Sequence, residues 1–208
     1  MLHAVVLYVC LVAGFPRSTP KFWIQPLLNS DAPKLQAFLE VASLLRRTFN
    51  KDANVLSGLA IEAEHVQALV ERSTDNILLA ARAYDDRLVG FAEVLMPGFL
   101  LKKSGAAYPE RLCGVLKPYM ASLAVEPSWQ LCGVGRALVD QAERSAMEAG
   151  YSCITLEVEA TNTAALALYT SGGYEQVDCD ENGRKLVGDV FFGKSKRVCK
   201  LTLEKSLE

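Results

Sequence analysis

The sequence predicts an α/β domain built on a mixed sheet, and three observations carry that prediction. Two segments of period-two alternation, 77–84 and 88–96, flank Asp85-Asp86-Arg87, the signature of an antiparallel hairpin. From Tyr119 to Glu159 a buried strand, an amphipathic helix and a second strand follow one another within about forty residues, the span of a parallel crossover. The chain has 208 residues and is 50% apolar, enough for one continuous core and in the range of a single domain with an appendage.

The elements follow in order. Residues 4–13 are apolar without interruption and end at Gly14-Phe15-Pro16-Arg17-Ser18-Thr19-Pro20, a breaker-rich stretch that sets 1–21 apart as a leader. Ten residues are too few to span a bilayer. The length suits the apolar part of a signal, but no Lys or Arg precedes it, so a cleaved presequence and an additional N-terminal strand or helix both stand. The domain proper is expected over 22–205. A strand at 22–28 leads into Asn29-Ser30-Asp31, a helix start that tolerates Pro33 in its first turn. Leu35, Phe38, Leu39, Ala42, Leu45 and Phe49 then form an apolar helix face, and 62–72 is a second, shorter helix. After the hairpin comes a loop, 97–118, and then a strand of small and β-branched residues at 119–125. Val134, Leu138, Val139, Ala142 and Ala146 mark a helix ending near Gly150. The strand 152–159 sets Thr155, Glu157 and Glu159 on the face opposite Ile154, Leu156 and Val158. A short helix at 162–171, a strand at 174–178, an exposed turn at 180–184 and a last strand at 197–203 complete the reading.

Composition removes several classes of function. Lys and Arg total 22 against 24 Asp and Glu, a net charge of −2, so no cation excess exists to bind nucleic acid or anionic lipid. Cys10, Cys113, Cys132, Cys153, Cys179 and Cys199 include no C-x-x-C pair, and His3 and His65 are the only histidines, which argues against a metal site and a disulfide framework. The thiols are expected to be buried as small hydrophobes in a reducing intracellular compartment, cytoplasmic or organellar such as a plastid. With so little histidine, Ser-His-Asp and Cys-His mechanisms fall away, and acid–base chemistry is left to Glu, Asp, Tyr or Lys.

Gln130-Leu131-Cys132-Gly133-Val134-Gly135-Arg136 lies directly between a strand and a helix, where free backbone N–H groups and the positive end of the helix dipole converge. Gly133 and Gly135 lack the Cβ that would hold a phosphate away, and a diphosphate fits such a cradle. A tight strand-to-helix turn is the plainer reading of the same glycines. A P-loop and a dinucleotide fingerprint both need residues that are missing here. Further on, Asn162, Ala165, Leu168, Tyr169, Gly173 and Tyr174 spell Asn-x-x-Ala-x-x-Leu-Tyr-x-x-x-Gly-Tyr, 32 residues after Gln130.

The two blocks together resemble the motifs of the GCN5-related N-acetyltransferase (GNAT) superfamily, Gln/Arg-x-x-Gly-x-Gly/Ala followed by Asn-x-x-Ala-x-x-Leu-Tyr-x-x-x-Gly-Phe/Tyr. The second is most similar to ribosomal-protein alanine N-acetyltransferases. The resemblance implies the GNAT fold, a mostly antiparallel sheet of six to seven strands with a splayed central parallel pair and flanking helices. It further implies that acetyl-CoA lies in that splay, its pantetheine arm along Leu123, Ala124 and Val125 and its diphosphate on Gln130, Leu131, Cys132, Gly133, Val134, Gly135 and Arg136. Leu131 and Cys132 depart from the Gly, Arg or Lys common in the family, which removes side-chain help to the phosphates but spares the amide cradle.

Acetyl transfer to an amine needs a base for the amine and a proton for the departing thiolate. The resemblance gives the second role to Tyr169, whose phenol, with an unperturbed pKa near ~10, is protonated at neutral pH; packing beside Leu166 and Tyr174 is its alternative. Glu157, five residues before Asn162, is the first candidate base and Glu93 on the hairpin strand the second. Asn162 is either a helix N-cap or a cofactor contact. No cysteine is placed as an acyl carrier, which implies direct attack in a ternary complex. The acceptor implied is a primary amine, on a protein N-terminus or a lysine, with a small-molecule amine or a catalytically silent acyl-CoA-binding module as the alternatives.

Overall fold

The computed structural model describes residues 21–28, 34–49, 55–74, 76–97, 117–187 and 194–208. The leader as far as residue 20, the helix start at 29–33 and most of the loop 97–118 lie outside the described residues. Among the described residues seven strands form one sheet: β1 (Phe22–Pro26), β2 (Ile77–Ala83), β3 (Leu88–Leu95), β4 (Tyr119–Val125), β5 (Cys153–Glu159), β6 (Glu175–Val187) and β7 (Lys194–Ser206). Their spatial order is β1-β2-β3-β4-β5-β7-β6, antiparallel throughout except for the parallel pair β4–β5. Among the described residues four helices flank it: α1 (Lys34–Phe49), α2 (Val55–Arg72), α3 (Val134–Glu148) and α4 (Thr163–Thr170).

The core lies on both sheet faces, as alternation in β3 requires. On one face Val134, Leu138 and Ala142 of α3 pack against Ala92, Val94, Met120, Ile154 and Leu156. On the other, Phe38, Val41 and Leu45 of α1 cover Leu78, Ala80 and Phe91. The buried face of α1 is rotated from the predicted one: Ala37, Phe38, Val41, Ala42, Leu44 and Leu45 are buried, whereas Leu35, Leu39 and Phe49 are exposed. The helix has apolar residues on more than one stripe, and the stripe holding the two alanines is the one seated on the sheet. Helix α2 begins at Val55, about two turns before the predicted start, because its first residues lack a clear 3.6 period.

The largest correction concerns 180–184. These residues are no hairpin turn but the middle of β6, where a register shift between Asp180 and Gly183 makes a bulge. The turn chemistry is real and local: Asp180 Oδ1 accepts the Asn182 N–H at 2.9 Å. Gly183 is required there by close approach, since a Cβ would stand 2.8 Å from the Val198 carbonyl oxygen. β7 continues to Ser206, and Leu207 is buried with its N–H donated to Ser152 O at 2.7 Å. Among the described residues no helix is long and apolar enough to cross a membrane.

Candidate active site

β4 and β5 each have seven residues but pair only at Tyr119↔Thr155 and Met120↔Leu156. Beyond Met120 they part. The parting coincides with an irregularity on the other edge of β4: the register with β3 shifts between Phe91 and Glu93, and Ser122 adopts φ 53. Leu123, Ala124 and Val125 therefore border β3 on one side and an opening on the other.

At the wide end of that opening, a 3-10 turn at Pro127–Trp129 and the loop 130–133 deliver the chain into α3. The first intrahelical hydrogen bond is donated by Ala137 to Gly133 O, so the amides of Val134, Gly135 and Arg136 lack an acceptor within the helix. Gly133 is left-handed at φ 86, and a Cβ there would meet no atom within 4 Å, so its backbone conformation rather than crowding calls for glycine. Leu131 and Cys132 are exposed, while Val134 is buried and anchors the helix start. Gln130 Nε2 donates to Val125 O at 3.3 Å, fastening the loop to the end of β4. The guanidinium of Arg136 donates to Leu168 O at 2.6 Å and to Ser171 Oγ, tying α3 to the end of α4. Amide donors left without an intrahelical acceptor at a helix N-terminus suit a diphosphate.

Register places the candidate carboxylates. Ala121, the residue after the last β4–β5 pair, stands opposite Glu93 on one side and level with Glu157 on the other. Glu93 and Glu157 thus flank the split on one sheet face, β3 and β5 lying on either side of β4. Glu157 is half-buried, with Lys200 Nζ of β7 at 3.4 Å. Glu93 is 1% exposed; its Oε2 accepts from Arg72 of α2 at 3.0 Å and from Ser122 Oγ at 3.4 Å, and its Oε1 is buried with no partner. Burial, only partly offset by Arg72 and Ser122, raises the Glu93 carboxyl above the usual range.

Tyr169 lies on the opposite sheet face, in the cluster that contains Leu156 and Val158. Its ring meets that of Tyr174 edge-on at 5.5 Å, and burial pushes its phenol up to about 12. Asn162 is the N-cap of α4, its Oδ1 accepting the Ala165 N–H at 3.2 Å, which is one of the two roles open to it. Sequence reasoning missed Lys200, Arg72 and Ser122. Alternation along β7 gives only the face of Lys200, which the register sets opposite Glu159 and diagonal to Glu157, and Arg72 and Ser122 are brought in by a helix packing and a bulge that leave no local pattern. The thiols are not uniformly buried as expected: Cys132 and Cys179 are exposed, and Cys153 and Cys199 half-buried. Cys132 sits on a loop and Cys179 on the outer edge strand, where no layer covers them. Among the described residues no group of three or more His, Cys, Asp or Glu could hold a metal.

Comparison with known proteins agrees with this geometry. The acetyltransferase (GNAT) family model matches residues 39–174. The [ribosomal protein bS18]-alanine N-acetyltransferase of Escherichia coli is 38% identical over 61 residues, 29% of this chain and 41% of that protein. The mycothiol acetyltransferase of Jonesia denitrificans is 40% identical over 68 residues, 33% of this chain and 22% of that one. The matched stretch thus spans about two fifths or less of these relatives' length. The crystal structure of the Escherichia coli ribosomal-protein-S18-alanine N-acetyltransferase superposes with a TM-score of 0.60 at 16% identity, over 90% of this chain and 94% of that one. That last likeness is one of fold.

Proposed function

Since the chain belongs to the acetyltransferase (GNAT) family, we propose that it transfers an acetyl group from acetyl-CoA to a primary amine, on a protein N-terminus or a lysine. The observation that carries this reading is the split between β4 and β5, with carboxylates on one face and a buried tyrosine on the other. Bound acetyl-CoA supplies an activated acetyl thioester. The loop 130–136 holds the diphosphate through main-chain amides, and Leu123 to Val125 offer the pantetheine a strand edge with which β5 does not pair. Glu157 accepts the proton of the attacking amine, with Glu93 as the second carboxylate on the same face. Lys200 orients Glu157. Tyr169, protonated at any working pH, has a proton to give to the departing sulfur. The amine attacks the bound thioester directly, in a ternary complex.

A protein acceptor is favoured over a small amine by the ribosomal-protein enzyme among the relatives. The test is to incubate the chain with acetyl-CoA and a panel of peptides, polyamines and small thiol-linked amines, and to identify acetylated products by mass. Peptide products are expected, with turnover lowered about 10²–10⁴-fold in both Glu157→Gln and Tyr169→Phe at unchanged affinity for CoA. Wild-type rates in both variants would remove these assignments, and acetylation of the small amines alone would remove the protein acceptor.

A further inference from the structure

Cys179 and Cys199 place their sulfurs 3.3 Å apart on the outer hairpin. They are diagonal neighbours, for Cys179 stands opposite Leu201, two residues along β7 from Cys199. Cys179 is exposed and Cys199 half-buried, so a small reagent reaches the pair from solvent. The bulge at Asp180–Gly183 lies immediately beyond, where the ladder is already interrupted. We propose that Cys179 and Cys199 are a redox site, two thiols that convert reversibly to a disulfide by exchange with a low-molecular-weight disulfide.

The exchange balances within these components. One protein thiolate attacks the small disulfide, forming a mixed disulfide and releasing one small thiol. The other protein sulfur attacks the protein-side sulfur of that bond, closes Cys179–Cys199 and releases the second small thiol. Two protein thiols are oxidised, one small disulfide is reduced to two thiols, and the two protons leave with them. The sulfurs need approach by only about 1.3 Å to reach bonding distance. The hydrogen bond to Cys199, with lesser help from burial and from Glu181 and Asp178, raises the Cys179 thiol above its ordinary range, so the reaction quickens as pH rises above neutrality. This site is independent of the acetyl-transfer reading. Its neighbours nonetheless reach β5: Cys199 O accepts the Ala160 N–H at 2.9 Å, and Lys200 is the partner of Glu157.

The test is to treat the full chain with glutathione disulfide, block remaining thiols with N-ethylmaleimide and map the peptides by mass. A peptide joining 179 to 199, lighter by two hydrogens and released by dithiothreitol, is expected, whereas the exposed single thiol of Cys132 retains a glutathione adduct. Cys199→Ser should trap glutathione on Cys179. Oxidation should raise the melting midpoint of the wild type by about 5 °C and leave that of Cys199→Ser unmoved, the two being equal under reducing conditions. Glutathione persisting on Cys179 of the wild type as fully as in Cys199→Ser, cross-links only between molecules, or no reaction at Cys179 would each overturn the proposal.

Discussion

Glu93 shows how a single buried charge ties stability to pH. It sits on β3 with one oxygen held by Arg72 and Ser122 and the other without a partner. Burial, the largest influence, raises its folded-state pKa above the unfolded value near ~4.5. A raised carboxyl contributes stability that is present below the unfolded value and is lost as pH climbs through the folded one. Glu93→Gln removes the ionisation while keeping size and hydrogen-bonding capacity. Thermal melts should therefore place the variant's midpoint increasingly above that of the wild type from pH 4.5 to pH 7.5. A difference that stays constant over this range, or that shrinks, would show that Arg72 outweighs the desolvation. Residue type and spacing bring Glu157, Tyr169, Asn162 and the two glycines forward as candidates, because each belongs to or adjoins a short motif. The surroundings of Glu93 were not legible, because Arg72 is 21 residues away and reaches it only when α2 packs on the sheet.

Among the elements, those with strong local periodicity matched expectation most closely: β4 coincides with 119–125, and α3, β5 and α4 begin or end within two residues of their predicted bounds. β6 and β7 did not, since each gains length from its partner rather than from its own pattern. Asp180-Glu181-Asn182-Gly183 has the residues of a turn, and only pairing with β7 decides that it is a bulge. Gly183→Ala separates the two outcomes. In an exposed turn the methyl group would be nearly neutral. In the bulge it stands 2.8 Å from Val198 O and 2.9 Å from Lys200 Cγ, forcing β6 from β7 at a cost of about 1–3 kcal/mol. Urea unfolding of the variant measures that loss.

For the molecule as a whole, the sheet is continuous in outline but weakly joined at its middle, where two residue pairs connect β1–β4 to β5–β7–β6. α3 packs beneath both parts, touching Val94 and Met120 on one side and Ile154 and Leu156 on the other. A ligand that binds only the folded form adds about 2.7 kcal/mol at a hundredfold excess over its Kd. Saturating acetyl-CoA should thus raise the melting midpoint by about 5–10 °C and slow amide exchange at 121–125 and 133–136. No shift would mean that the loop and strand edge do not hold it. The weak seam also has a mechanical meaning. Two parts of one sheet joined along one short line, with a strap of helix below, leave a wedge-shaped slot between them. A guest seated in it would act as a keystone, bridging the part that carries Glu93 and the part that carries Glu157.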